Sequence, residues 1–368
     1  MEIAVILGLL VILAFVLAGP FFVKWIGENL EAFLFLSGVA ALTIAGFATL
    51  EGVATGWSPA IVAEALTAPV YIGSVLGIPV GIVQIVLLVG FLIYLGHRHL
   101  ERGIQRLVDT VPLPALAFLL VVTLSLLSGI ISAIIAAILL IEILCALPIP
   151  KEPKVRLAVV ACFAIGLGAA LTPLGEPLST IVVSKLSGPP YNAGFWFLAD
   201  LLGIYLLPGI LAFGVLAVFA VRDLKGGDQP MFCRVERGSP KEVILRAARV
   251  YLFVMALVLL GEGFKPLILE FVVGIPADGL YWVNMVSAVL DNATLAAAEI
   301  GPYLSGMQIR AALMGLLIAG GMLIPGNIPN IIAAGKLGVT SREWARIGVP
   351  IGFAAMAVYF VVLFLPAL

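Results

Sequence analysis

Apolar residues along this chain run in long blocks, and most of the blocks are closed by charge clusters or by Pro and Gly. Stretches 3 to 19, 32 to 50, 77 to 96, 194 to 221, 250 to 273 and 347 to 367 come close to or exceed the roughly 20 apolar residues that span a bilayer. Each predicts a transmembrane helix. Residues 58 to 75 leave three options open: a span, an interfacial segment or a re-entrant one.

Lys and Arg cluster at 97 to 106, 151 to 156, 222 to 249 and 336 to 346. The positive-inside rule assigns all four to the cytoplasm. The first two flank one apolar block, 113 to 147, which therefore leaves the cytoplasm and returns to it. It is either two short spans or one re-entrant helical hairpin, and its middle, LLSGIISAIIAA at 126 to 137, which carries Ser128, Gly129 and Ser132 but no exposed polar turn, favours a tip buried inside protein. Residues 157 to 186 then run outward, turn at SGPPYNA (187 to 193), and 194 to 221 returns. After 250 to 273 goes out, residues 275 to 304 form a second hairpin that enters from the opposite face. Residues 308 to 337 return to the last basic cluster.

Hairpins of opposite entry suggest an inverted repeat. GEPLSTIVVSKLSG from Gly175 aligns without gaps to GNIPNIIAAGKLGV from Gly326, and Ser132 and Ala133 match Ser287 and Ala288. On that register Ala136 and Ala137 stand opposite Asp291 and Asn292. Both segments after the hairpins are interrupted, at LTPLGEPLST (Pro173, Gly175, Pro177) and LIPGNIPN (Pro325, Gly326, Pro329). Pro removes a backbone donor and Gly admits unusual conformations, so residues 172 to 177 and 325 to 329 are expected to be non-helical and close to the hairpin tips, where Ser132 and Ser287 lie. A kinked helix with no ligand is the alternative. Thr172, Glu176 and Ser179 in one break, and Asn327 and Asn330 in the other, argue against it.

Composition agrees with a polytopic membrane protein: 62% hydrophobic and 11% charged residues, against the roughly 25% charge usual in soluble domains. A formal net charge of -1 gives no field that would draw nucleic acid. The first segment lacks a basic n-region and carries Glu2, so it reads as a retained helix rather than a signal peptide. Cys145, Cys162 and Cys233 are scattered, without metal-ligand spacing, and read as buried free thiols.

SAVLDNATLAAAEI (287 to 300), GAALTPLGEPLST and GGMLIPGNIPN resemble the hairpin and broken-helix signatures of the ion transporter superfamily, above all its NhaD-type sodium/proton antiporter and arsenite-pump branches, and a short subfamily of previously unknown function. The resemblance covers roughly 113 to 346. It implies an all-α polytopic membrane protein with inverted structural repeats, each with a re-entrant helical hairpin and a broken transmembrane helix, and a substrate site between them near the midplane. The expected division is scaffold helices at 1–112, a first repeat core at 113–221, a basic cytoplasmic linker at 222–249 and a second repeat at 250–368. In the antiporter branch both hairpins tend to carry an Asp-Asn pair. Here one acid is missing, and Glu176 stands where the second break has Asn327.

An acid at the bilayer centre costs about 2.5 to 3.5 kcal/mol, so Asp291 reads as functional rather than as a helix cap. Asn292, Ser287 and Thr294 add hard oxygens, as do Thr172, Asn327, Ser132 and Ser128, with unwound carbonyls beside them. This set suits desolvated Na+ held by Asp291, Asn292 and Glu176. A buried carboxyl that takes either a proton or Na+ is the chemistry of antiport. Among other acids, Glu262 is expected to pair with Lys265, Glu142 and Glu299 to lie near hairpin ends, and Glu51 and Glu64 to face the interface. Asp200 is placed two turns inside a span. His97 and His99 belong to the basic loop.

The expected function is exchange of Na+ or Li+ for protons across the cell's inner membrane by a multi-pass protein that is not an enzyme and needs no cofactor besides the transported ions. Its partners are the lipid bilayer, a monovalent cation and protons. The resemblance leaves homodimerisation open. A Na+-coupled symporter, an anion carrier for a dicarboxylate or arsenite, and an intramembrane hydrolase using Asp291 and Glu176 are the alternatives. The absence of an intramembrane Arg beside the core disfavours an anion, and no G-x-G-D or H-E-x-x-H pattern supports hydrolysis.

Overall fold

A computed structural model describes the chain apart from residues 1, 24, 27, 28, 50–53, 72, 76, 77, 82, 85, 86, 89, 92, 93, 97–102, 104–109, 148, 223, 225–238, 273, 289–291 and 366–368. Asp291, Cys233, Glu51, His97 and His99 lie outside the described residues, as does the side chain of Thr294.

The order of elements is α1 (Ile3–Phe22), α2 (Leu30–Ala45), α3 (Pro59–Thr67), β1 (Gly73–Val75), β2 (Ile78–Val80), α4 (Leu113–Ile131), α5 (Ala133–Ala146), α6 (Lys151–Ala169), α7 (Pro177–Lys185), α8 (Phe197–Val221) and α9 (Pro240–Leu267, prolonged by a π turn at Ile268–Val272). There follow α10 (Ala277–Val283), a 3-10 turn (Asn284–Ala288), α11 (Asn292–Glu299), α12 (Gly306–Gly320), a second 3-10 turn (Ile324–Gly326), α13 (Ile328–Leu337) and α14 (Ser341–Phe364). Helices Leu113–Ile131, Phe197–Val221, Pro240–Phe271 and Ser341–Phe364 are each long and apolar enough to cross a membrane. The chain is a helical membrane protein. Exposed Ile204, Leu207, Leu211 and Val215 on α8, and Val358, Val361 and Val362 on α14, form surfaces that water would penalise and lipid accepts.

Several boundaries depart from the sequence reading. Residues 58 to 75 do not form a span: α3 has nine residues, about 14 Å of helix, with Ser58 capping it by accepting from Ile61 N at 3.2 Å. A short antiparallel hairpin follows, pairing Gly73 with Val80 and Val75 with Ile78. The linker expected at 222–249 ends early, because Ser239 accepts from Glu242 N at 3.2 Å and Pro240 pre-sets the first turn, so α9 starts at 240 instead of 250. A capping box of Thr340 and Glu343 likewise starts α14 at 341, ahead of 347. Asp200 falls in the first turn of α8 and is exposed, since that helix begins at 197 rather than 194. Cys162 is a buried free thiol, whereas Cys145 is disulfide-bonded, so the free-thiol expectation fails there.

Helices α6 and α12 sit at the centre, each buried along nearly its whole length. Helix α4 crosses α6 so closely that a Cβ at Gly168 would fall 1.7 Å from Ser125 O, the small-residue contact that membrane helices use in place of a hydrophobic driving force. Helix α5 packs on α13 and α11 packs on α7. Helix α9 lies along α2 on the outside of this core, with Gly38 against Leu259 and Gly263 against Ala41.

Three tertiary contacts register the ends of these elements. Lys151 at the start of α6 meets Glu343 at the start of α14 at 3.0 Å, bringing two of the basic clusters to one side. Tyr191 in the SGPPYNA turn donates to Leu304 O. Gln308 Nε2 donates to Ile275 O at 2.9 Å, so the two ends of the 275 to 304 block lie together.

Candidate functional site

Both predicted interruptions are present. Helix α6 ends at Ala169 and α7 starts at Pro177, while α12 ends at Gly320 and α13 starts at Ile328 after a 3-10 turn. Glu176 and Asn327 occupy the same position in the two halves: each is the extended residue before the new helix (φ -156, ψ 162 and φ -153, ψ 145), and each is buried. The Pro residues explain the restarts, since a ring at the first or second helical position removes only a donor that lacks a partner there anyway.

The same hydrogen bonds hold both halves. Ser179 Oγ donates to Ala169 O at 3.3 Å, and Asn330 Nδ2 donates to Gly320 O at 2.8 Å and to Leu323 O at 2.8 Å. These close the carbonyls that the interruption leaves open at a depth where no water replaces them. Replacing Asn330 with Leu is expected to cost about 2 kcal/mol, more than Ser179→Ala, because two buried carbonyls lose their donor at once; thermal unfolding in detergent micelles measures the difference.

The turn between α4 and α5 meets the first interruption, and the 3-10 turn at Asn284–Ala288 adjoins the second. Ala133 N donates to Gly175 O at 2.7 Å and Thr172 Oγ1 donates to Gly129 O. Ser128 Oγ reaches Ile165 O at 3.0 Å and also Ser125 O at 2.6 Å. In the other half Ser287 Oγ reaches Leu316 O at 2.9 Å, and a Cβ at Gly326 would lie 2.6 Å from Ser287 O. Ile165 and Leu316 are related by the same spacing as Gly175 and Gly326, so Ser287 has Ser128 as its counterpart, not Ser132. Matching the serines by the helix each bonds to shifts the Ser132–Ser287 match by one helical turn. Ser132 and Ala133 therefore hold the sequence positions that correspond to Asp291 and Asn292.

Ser132 is unusual in two ways. Its φ of 81 is uncommon for a residue with a side chain and costs of order 1–3 kcal/mol, and its buried Oγ has no hydrogen-bond partner. Asn292, the first residue of α11, is buried with Nδ2 likewise unpartnered. Its Cβ lies near Gly320, where the α12 interruption begins. The halves adjoin through α6 and α12: a Cβ at Gly166 would fall 2.8 Å from Asn327 Nδ2. Thus Ser128, Ser132, Thr172 and Glu176 gather around one interruption, and Ser287, Asn292 and Asn327 around the other. Helices α7 and α13 begin at these interruptions and α5 begins beside the first, and their N-termini carry the positive ends of the helix dipoles.

A family model described as Protein of unknown function (DUF1646) matches residues 6–365. The chain belongs to that family. No curated protein matches it. The DUF1646 match takes in both interruptions and both hairpin blocks, so the whole arrangement belongs to the family's extent.

Sequence reasoning missed three features of this DUF1646 chain. Ser125, buried beside Gly168, and Asn284, buried in the 3-10 turn, occupy corresponding hairpin positions that the shifted register concealed. Glu299, assigned to a hairpin end, is only 5% exposed. Its signal was the spacing of seven from Asn292, two helical turns along one face of α11. Lys185 bonds to Ala297 O on α11, which its similarity to the exposed Lys336 gave no reason to expect. The expected Glu262–Lys265 pair is present at 3.0 Å.

Proposed function

We propose that this protein is a secondary active transporter of the cell's inner membrane that exchanges Na+ or Li+ for protons by alternating access. The observation that carries the reading is the pairing of equivalent hydrogen bonds in two halves: Ser128 to Ile165 O with Ser287 to Leu316 O, and Ser179 to Ala169 O with Asn330 to Gly320 O. Duplicated, buried, interrupted helices have a purpose where backbone and polar groups must handle an ion at membrane depth. On this reading the halves are inverted repeats, and the 113 to 147 and 275 to 304 blocks are re-entrant hairpins, although the first arm of the former, α4, is by itself long and apolar enough to cross the membrane. The contact of Ile275 with Gln308 supports the second hairpin, and the Lys151–Glu343 pair supports a shared cytoplasmic side for the basic clusters.

The chemistry follows from the residues at the two interruptions together with Asp291, the sequence neighbour of Asn292. Ser287, Asn292 and Asn327 offer neutral oxygens, and Asp291 and Glu176 offer charge, which together suit a dehydrated hard cation. The same carboxyls take protons when the cation leaves, and that competition couples the two fluxes. Glu176 gives the first half an acid where its hairpin has Ser132. If Asp291 and Glu176 titrate as a pair, two protons accompany each Na+.

Purified protein in proteoliposomes carrying a pH-sensitive dye tests this. Proton movement is expected on adding Na+ or Li+, with a much smaller response to K+ and none to dicarboxylates or arsenite. Dye responses driven by an anion and indifferent to Na+ would overturn the assignment in favour of an anion carrier.

A further inference from the structure

Glu299 ends α11, and its carboxyl is buried away from both helix interruptions. Asn284, in the 3-10 turn on the other arm of the same block, places its amide beside that carboxyl. No well-formed hydrogen bond joins them: Glu299 Oε1 and Asn284 Nδ2 both lack a partner although both residues are at most 5% exposed. One is an acceptor short of a donor and the other a donor short of an acceptor.

The surrounding elements bring charge, but none of it reaches Oε1. Lys185 on α7 gives its ammonium to Ala297 O. Glu262 and Lys265 on α9 pair with each other. Arg310 on α12 lies over the Tyr205 ring, Glu270 on the π turn is exposed, and Tyr303 donates to the main-chain oxygen of Glu299. An ionised carboxylate here would be buried without a counter-charge, whereas a protonated carboxyl and a primary amide complement each other, each with one donor and one acceptor.

We infer that Glu299 and Asn284 form a proton-binding site on the second hairpin block, distinct from the acids at the interruptions. It lies about 10 Å along α11 from Asn292. It holds a proton in the conformation seen here and releases it when α11 shifts against α9, where Ala297 O and Gly261 are in backbone contact. The corresponding position of the first half is Leu140, fully buried and apolar, so the packing does not itself require an acid. The role in coupling rests on the proposed exchange of Na+ for protons; the proton site itself does not.

The test uses full-length protein in lipid nanodiscs and infrared difference spectra recorded from mildly acidic to mildly alkaline pH. A protonated-carboxyl stretching band is expected near neutrality in the wild type. It should vanish in both E299Q and E299L, and shift in frequency without vanishing in N284A. Spectra of E299Q and E299L that superimpose on the wild type would overturn the inference. In proteoliposomes E299Q is expected to keep Na+ exchange while moving fewer protons per Na+, and an unchanged ratio would remove Glu299 from coupling. If the wild type moves no Na+, the transport reading falls while the infrared result still decides whether Glu299 carries a proton.

Discussion

Asp291→Asn is expected to leave the protein folded and to abolish Na+-driven proton movement. An acid within an apolar membrane block is unfavourable by itself, by about 2.5 to 3.5 kcal/mol at a helix centre, so an amide of the same shape adds no such cost. Stability in detergent should hold or rise slightly. On the proposed exchange the cation loses one of its two charged ligands and keeps Glu176 beside the neutral oxygens of Ser287, Asn292 and Asn327. Loss of about 3 kcal/mol of binding corresponds to on the order of 100-fold weaker Na+ affinity, and one of the groups that take the proton is gone as well. Glu176→Gln should give a partial loss or fewer protons per Na+, because Glu176 is buried at the other interruption. Glu64→Gln, at an exposed position on α3, should change little. Dye-monitored exchange in proteoliposomes ranks the three, and full Na+-dependent activity in the Asp291→Asn protein would mean that this carboxylate does not bind the ion.

Gly175→Ala is expected to be the most damaging single-methyl change at either interruption. A Cβ there would fall 1.9 Å from Ala169 O and 2.6 Å from Ala169 C, and these are backbone atoms that no rotamer change can move aside. The loop must therefore shift, and with it Gly175 O, which accepts from Ala133 N at the tip of the first hairpin block. Overpacking of this kind costs about 3 kcal/mol. Gly326→Ala should be milder but still destabilising, with contacts at 2.5 Å to Gly320 O and 2.6 Å to Ser287 O. Gly188→Ala, with nothing within 4 Å, is the control and should stay within about 0.5 kcal/mol of the wild type. The measurement is the unfolding temperature of each variant in the same detergent, followed by exchange activity. A Gly175→Ala protein with the wild-type unfolding temperature would show that the tip and the interruption are not tightly joined.

Much of this architecture could be read from residue order alone. Long apolar blocks dictate membrane helices because lipid forces the backbone to satisfy its own hydrogen bonds, and Pro with Gly in the middle of such a block dictates an interruption. Both are local effects, so interruptions appear in both expected segments, but at 170 to 176 and 321 to 327 instead of 172 to 177 and 325 to 329, because Pro177 and Pro329 sit in the first turn of the new helices. Helix starts at Ser239 and Thr340 were equally local; their caps were present in the sequence and were passed over.

What the tertiary structure decided is everything that depends on which face of a helix meets which neighbour. The counterpart of Ser287 is Ser128 because each bonds to the same level of a central helix, a relation absent from any alignment of short apolar segments. The burial of Glu299 beside Asn284 joins residues fifteen positions apart, and Lys185 reaches Ala297 across a gap of 112 residues. Hydrophobicity and Pro or Gly content are properties of a stretch of chain and act at once. The partner of a buried polar atom is set only when separate helices pack, and in a chain this apolar many surfaces look alike until they meet.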